Sequence, residues 1–208
     1  MTTRQWTSNR DGLDKLQLSE TSLPQPGKDE VLVEISAVSL NYRDTEVCMG
    51  LYNHHKSTQS SSTIVPCSDM CGVVTAVGEG SSSWKVGDRV LSTFNQTHLT
   101  GQITAKDMTS GLGLPLPGVL ATHRVFPATG LVRAPEHLSD EEAATLPIAA
   151  VTAWMSINGM RRDGEIVGKD EFMLLQGTGG VATAGLQIAA AAGAKGGPAT
   201  TGILTFTS

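Results

Sequence analysis

The stretch FMLLQGTGGVATAGLQIAAA, residues 172–191, decides the fold class. Phe172–Gln176 is a short apolar run that reads as a strand. Gly177-Thr178-Gly179-Gly180 reads as a turn, and the alanine-rich run Val181–Ala192 as a helix. Strand, Gly-x-Gly-x-x-small, helix is the fingerprint of a dinucleotide-binding turn, here with Gly177, Gly179 and Ala182 at its three positions. The first glycine permits the tight turn, the second lets backbone approach a pyrophosphate, and the third position is small so that helix and strand pack closely. The helix start then offers unpaired amides to phosphate. Gly177, Thr178, Gly179, Gly180 and Val181 are therefore the cofactor-binding candidates. The competing reading is a glycine turn of structural use only.

The residues beyond the turn depart from the pattern. A dinucleotide unit normally presents an acid about 20 residues on, for the ribose hydroxyl. No Asp or Glu occurs after Glu171. Gly196-Gly197-Pro198 ends the helical pattern, and Ile203–Phe206 is an uncharged apolar segment with strand character and an aggregation hazard. At most one βα unit and a stub fit into residues 172–208, so the cofactor segment reads as incomplete and weak NADPH binding is expected of it.

Upstream, the pattern is different. Val31–Val38 alternates with period two and reads as a strand partly buried on both faces. Gly72–Val77, Arg89–Thr93, Ala121–Phe126 and Leu131–Arg133 are further strands between Gly and Pro turns, which indicates a β-barrel-like domain. At Ser139 the character changes. Ser139-Asp140-Glu141-Glu142 is a capping box that opens a helix. Pro147 interrupts it, Ala149–Met160 continues as a second helix, and Arg161–Glu171 is a polar connection.

Composition narrows the class. Hydrophobic residues make up 39% of the 208 and charged residues 17%, as in a folded soluble chain. A formal charge of −5 without a basic run argues against a nucleic-acid surface. The N-terminus has no apolar signal segment, and the longest apolar run, Leu186–Ala194, is too short to span a membrane. A cytoplasmic protein is expected. Three cysteines do not make a disulfide framework. Cys67 and Cys71 read as ordinary buried thiols, and His54-His55 as loop surface.

Several ordered segments together resemble the medium-chain dehydrogenase/reductases, in particular their zinc-free, quinone-oxidoreductase-like branch. They are VLVEISAVSLNYRD (residues 31–44), VPCSD (residues 65–69), Gly72–Asp88, Leu138–Trp154 and Leu174–Gly180. The resemblance covers about residues 20–195. It implies an α/β chain, α+β overall. A GroES-like β-barrel domain with connecting helices would occupy residues 1–165, and the start of a Rossmann domain residues 166–208. It implies hydride transfer from NADPH, or less favoured NADH, to an activated C=C or C=O of a small enone, quinone or aldehyde, and leaves a homodimer open for full-length relatives. A non-catalytic binding module or an inactive shortened product is the alternative.

The resemblance also implies site residues. Asn41, Tyr42, Asp44 and Tyr52 match segments that line the active cleft of zinc-free relatives, and Thr152 matches a threonine near the nicotinamide. Tyr42 is the better proton donor, because a phenol carries its proton at neutral pH. Core packing is the competing reading for Tyr42, turn bracing for Asp44, and a helix-interior place for Thr152. Zinc-dependent members carry Cys where this chain has Asn41 and Gly-His-Glu where it has Cys67-Ser68-Asp69, and their third ligand falls close to Ile148. Catalytic zinc takes about three N, S or O ligands. The segment Phe94–Gly118, where a four-cysteine structural site would fall, contains no Cys. Neither zinc is expected.

Overall fold

β-branched residues crowd the run 31–38, and they favour extended chain because their side chains pack well on a pleated surface. The computed structural model describes residues 1–53, 63–81, 83–162 and 164–199. His54, His55 and Ile203–Phe206 lie outside the described residues. In chain order the elements are β1 (Thr2–Thr7), β2 (Gln17–Ser22), β3 (Glu30–Ser39), α1 (Tyr42–Cys48), β4 (Asp69–Val77), β5 (Arg89–Ser92), α2 (Ala105–Met108), β6 (His123–Pro127), β7 (Leu131–Arg133) and α3 (Asp140–Ala144). A π-type turn over Leu146–Ala150 then leads into α4 (Val151–Asn158), β8 (Phe172–Gln176), α5 (Gly180–Ala191) and β9 (Lys195–Ala199). The chain divides into two compact units, Met1–Pro147 and Ile148–Ser208.

In the first unit a five-stranded antiparallel sheet runs β6-β3-β4-β5-β7. β3 is its spine, paired with β6 over Glu30–Glu34 and with β4 from Val31↔Val77 to Ser39↔Asp69. Register shifts at Leu32/Val33 and Ile35/Ala37 bend it. Val31, Val33, Met70, Val74, Val90 and Phe126 converge on Leu112 and Val119 in the main core, all of them fully buried. Each such side chain contributes ~1.5–3 kcal/mol of transfer free energy. The hairpin β1–β2, absent from the sequence reading, joins this body through the Gln5↔Ala121 bridge. Its strands are rich in Thr, Ser and Gln, which carry little apolar periodicity.

The capping box at Ser139 forms as read: the Glu142 amide donates to Ser139 Oγ at 3.2 Å, and the Ser139 amide to Glu142 Oε2 at 2.9 Å. Ala143 and Ala144 of this short helix are buried against Cys71, Leu91 and Ala134.

In the second unit β8 and β9 pair in parallel, and α5 packs on both. The residues read only as a helix stop, Gly196-Gly197-Pro198, are therefore a strand. Main-chain bonding to β8 overrides their poor strand propensity, and among the described residues β9 is an edge strand, where proline is tolerated.

One close approach fixes the loops beneath the barrel. A Cβ on Gly118 would stand 2.0 Å from the Cys67 carbonyl oxygen and 2.2 Å from that of Pro66, both backbone atoms. Gly118→Ala is expected to destabilise the chain by about 2–3 kcal/mol through overpacking. A urea midpoint equal to wild type would contradict this contact.

Candidate active site

The end of the β3–β4 ladder assembles the candidate catalytic residues. Beyond Ser39 the chain turns into α1, with Asn41 in extended conformation at its N-cap. The Asn41 amide donates to Asp44 Oδ2 at 2.8 Å. Asp44 thus braces the helix start, and it is buried, with 6% of its surface exposed. Burial, the largest effect, holds its carboxyl above the ordinary carboxylate range. The Asn41 amide, the Arg43 charge and the Cys67 thiol partly offset this. Tyr42, the first residue of α1, is 81% exposed, so it is not the core aromatic of the competing reading.

Arg43 links this turn to its surroundings. Its guanidinium lies 4.5 Å from the ring centroid of Tyr52 and 4.9 Å from that of Phe94. It donates to the carbonyls of Leu112 at 3.1 Å and Leu114 at 2.6 Å. A stacked, doubly bonded guanidinium is a use that lysine cannot copy. Asn41, Tyr42, Asp44 and Tyr52 are therefore brought to one place, with Tyr52 tied in through Arg43 and packed on Val47, Ile64 and Leu114. The sequence reading gave Arg43 no role, because the carbonyls it bonds, those of Leu112 and Leu114, are distant in sequence. Asn41 Nδ2 and Arg43 Nε are buried without a hydrogen-bond partner among the described residues.

Cys67-Ser68-Asp69 enters the same corner. Cys67 takes a left-handed φ of 67°, and its carbonyl accepts from the Val119 amide at 3.0 Å. The Ser68 hydroxyl donates to Asp69 Oδ1 at 2.5 Å, and the Ser92 hydroxyl to the Ser68 carbonyl at 2.7 Å. Burial first, then the neighbouring Asp44, pushes the Cys67 thiol well above the usual thiol range. Cys71 donates to Asp140 Oδ1 at 3.4 Å, and its thiol is pushed up to about 11, mostly by burial. Cys48 is raised as well. Protonated thiols at neutral pH are poor nucleophiles and poor metal ligands. Among the described residues no group of three His, Cys, Asp or Glu is arranged to hold a metal ion. The donor set at the zinc-ligand positions, Asn41, Ser68 and Ile148, does not fit zinc.

In the second unit, Gly177 turns the chain with a φ of 88°, and Gly179 is the N-cap of α5. A Cβ on either glycine would meet nothing within 4 Å, so open space faces the turn. A helix start leaves its first amides without intrahelical partners, and here they belong to the turn Gly179–Val181. The residues present fit a pyrophosphate. Thr183 ties the turn from behind, its hydroxyl donating to the Gly179 carbonyl at 3.1 Å. Ala182 is buried as the fingerprint requires, but the tightest helix–strand contact is at Gly185, where a Cβ would stand 3.1 Å from both Leu175 methyls. Its spacing of three from Ala182 was the signal to read. Thr152 lies on the exposed side of α4, three residues after Ala149, whose Cβ would be 3.2 Å from one on Gly180.

Comparison with known proteins yields consistent relatives. The profile of the alcohol dehydrogenase GroES-like domain matches residues 27–136. A zinc-type alcohol dehydrogenase-like protein of Schizosaccharomyces pombe is 42% identical over 187 residues, 88% of this chain and 52% of its own length. The acryloyl-coenzyme A reductase of Sulfurisphaera tokodaii is 32% identical over 86% of this chain and 53% of its own. The solved structure of a Sinorhizobium meliloti protein described as an alcohol dehydrogenase superposes with a TM-score of 0.83 at 36% identity, covering 97% of this chain and 57% of that one. The chain spans about half the length of the relatives it matches.

Asp44 gives the corner a pH signature. A carboxyl raised on folding makes the native state hold its proton more tightly, so its contribution to stability falls as pH rises from the ordinary Asp range through the folded value. Asp44→Asn keeps an oxygen for the Asn41 amide and removes the ionisation. Between about pH 4 and about pH 7, either side of an ordinary carboxyl's perturbed range, the variant is expected to gain stability relative to wild type. Urea midpoints whose difference does not change with pH contradict this assignment.

Proposed function

The chain belongs to the alcohol dehydrogenase GroES-like family of the medium-chain dehydrogenase/reductases, and from that premise we propose that it is part of an NAD(P)H-dependent reductase of activated C=C or C=O bonds. The observation that carries the reading is the open turn Gly177–Val181 at the start of α5, which leaves both main-chain amides and space for a pyrophosphate. The similarity to an acryloyl-coenzyme A reductase supports an enone-type acceptor.

On this reading Gly177, Thr178, Gly179, Gly180 and Val181 hold the pyrophosphate and Thr152 orients the nicotinamide. NADPH, when bound, supplies the hydride. The acceptor needs one proton as well, and the exposed phenol of Tyr42 is the donor available beside Asn41. The unpaired amide nitrogen of Asn41 suits the acceptor oxygen, where a preset donor stabilises developing negative charge. Asp44 and Tyr52 act at one remove: Asp44 fixes the turn that carries Asn41 and Tyr42, and Tyr52 fixes Arg43. NADPH is taken before NADH on the family resemblance.

No step runs through zinc. Purified protein is expected to carry far less than one zinc per chain by elemental analysis. One tightly held zinc per chain would overturn the zinc-free reading and direct attention to Cys67 and Cys71.

Calorimetric titration of NADPH, with an NADPH-oxidation assay over quinones and enones, tests the cofactor assignment. Gly179→Val fills the space facing the turn and is expected to weaken NADPH binding roughly tenfold or more, about 1.4 kcal/mol per decade. Binding that survives this substitution would refute the role of the glycine turn.

A further inference from the structure

Arg124 sits where a cation is hard to explain structurally. It alternates with His123 and Val125 along β6, so its side chain shares a face with Phe126, which is fully buried in the main core. The guanidinium lies 5.0 Å from the Phe126 ring centroid, and one of its nitrogens, Nη1, donates to the Gly118 carbonyl at 2.6 Å. No carboxylate pairs with it among the described residues. Arg124 is half-buried, and a charge drawn out of water is normally paired, because desolvation without a counter-charge is costly. Burial pushes this group down to about 10, so it stays cationic at neutral pH.

Arg124 and Gly118, whose carbonyl its guanidinium bonds, line a cavity of about 350 Å³. Thr3 and Gln5 from one face of β1, Thr21 and Ser22 from β2, and His123 beside Arg124 supply its polar lining, and no Asp or Glu contributes. Arg4 and Trp6, on the other face of β1, line a different groove. Thr3 is held in place, its hydroxyl 3.0 Å from that of Thr122 and accepting from the His123 amide at 3.2 Å. The side chains of Gln5, Thr21 and Ser22 make no hydrogen bond among the described residues. A guanidinium, hydroxyls and a primary amide in a lining to which no acid contributes match the needs of an oxyanion.

We propose that this cavity, at the end of the barrel bounded by β1, β2 and β6, binds a phosphate group, carried by a small phosphomonoester or as free phosphate. The volume is in the range of small-molecule sites and exceeds what a lone phosphate fills, which favours the ester. The site is independent of the glycine turn and of the corner at Asn41–Asp44, and its test does not involve NADPH.

The experiment is calorimetric titration of the full chain, at fixed ionic strength and neutral pH, with inorganic phosphate, glycerol phosphate and acetate in turn. Saturable binding of both phosphates, tighter than acetate, is expected. Tighter glycerol phosphate identifies a monoester site, and inorganic phosphate binding as tightly or more so identifies free phosphate. Thr21 faces Thr3 across the hairpin, and Thr21→Glu supplies the missing counter-charge from an exposed strand position. It is expected to weaken phosphate binding roughly tenfold or more. Arg124→Met, which keeps the apolar stem, should act likewise if circular dichroism shows it folded. Absence of saturable phosphate binding, acetate binding more tightly than either phosphate, or a folded Thr21→Glu that binds phosphate like wild type overturns the proposal.

Discussion

The antiparallel register of β3 on β4 is the constraint on which the rest of the first unit depends. It buries Val31, Val33, Met70 and Val74 together, and it terminates at the pair Ser39↔Asp69. Everything placed just beyond that pair is thereby brought to one corner: Asn41 and α1 on one side, Cys67 and Ser68 on the other. A slip by one residue would turn every β3 side chain to the opposite face, and would separate Asp44 from Cys67. The corner is a consequence of strand pairing before it is a matter of side-chain chemistry.

Two arginines then fasten loops that the sheet alone would leave free. Arg43 stacks between Tyr52 and Phe94 and bonds two carbonyls of the 112–114 segment. Arg89 bonds Asp140 through Nε at 3.0 Å and Nη2 at 2.6 Å, and also the carbonyls of Pro135 and Leu138. The Asp140 carboxyl is lowered chiefly by that contact. Isolated surface ion pairs contribute little. What matters here is geometry: each guanidinium spends several donors on main-chain oxygens of neighbouring loops. Arg124 differs from both, with one carbonyl and one aromatic ring as its partners.

The second unit obeys a separate logic. Small residues at Ala182, Gly185 and Ala189 let α5 lie close on the β8–β9 ladder. The face of β8 carrying Phe172 and Leu174 stays exposed among the described residues, at 82% and 80%. Parallel sheets are normally covered on both faces, and among the described residues of this unit only the face toward α5 is.

Much of this was legible in the sequence. Alternating β-branched residues announced β3, the Ser139–Glu142 box announced α3, and Gly177-x-Gly179-x-x-Ala182 announced the turn into α5, because local propensity, capping and glycine chemistry act over a few residues. The tertiary structure decided the rest. The polar hairpin β1–β2 has no periodicity strong enough to read, and β9 is a strand only because β8 lies beside it. The exposure of Tyr42, the stack around Arg43 and the cavity against Arg124 depend on contacts between segments roughly 50 to 120 residues apart. Side-chain burial and charge environment are properties of the assembled sheet, and residue type fixes only what each group can do once it is there.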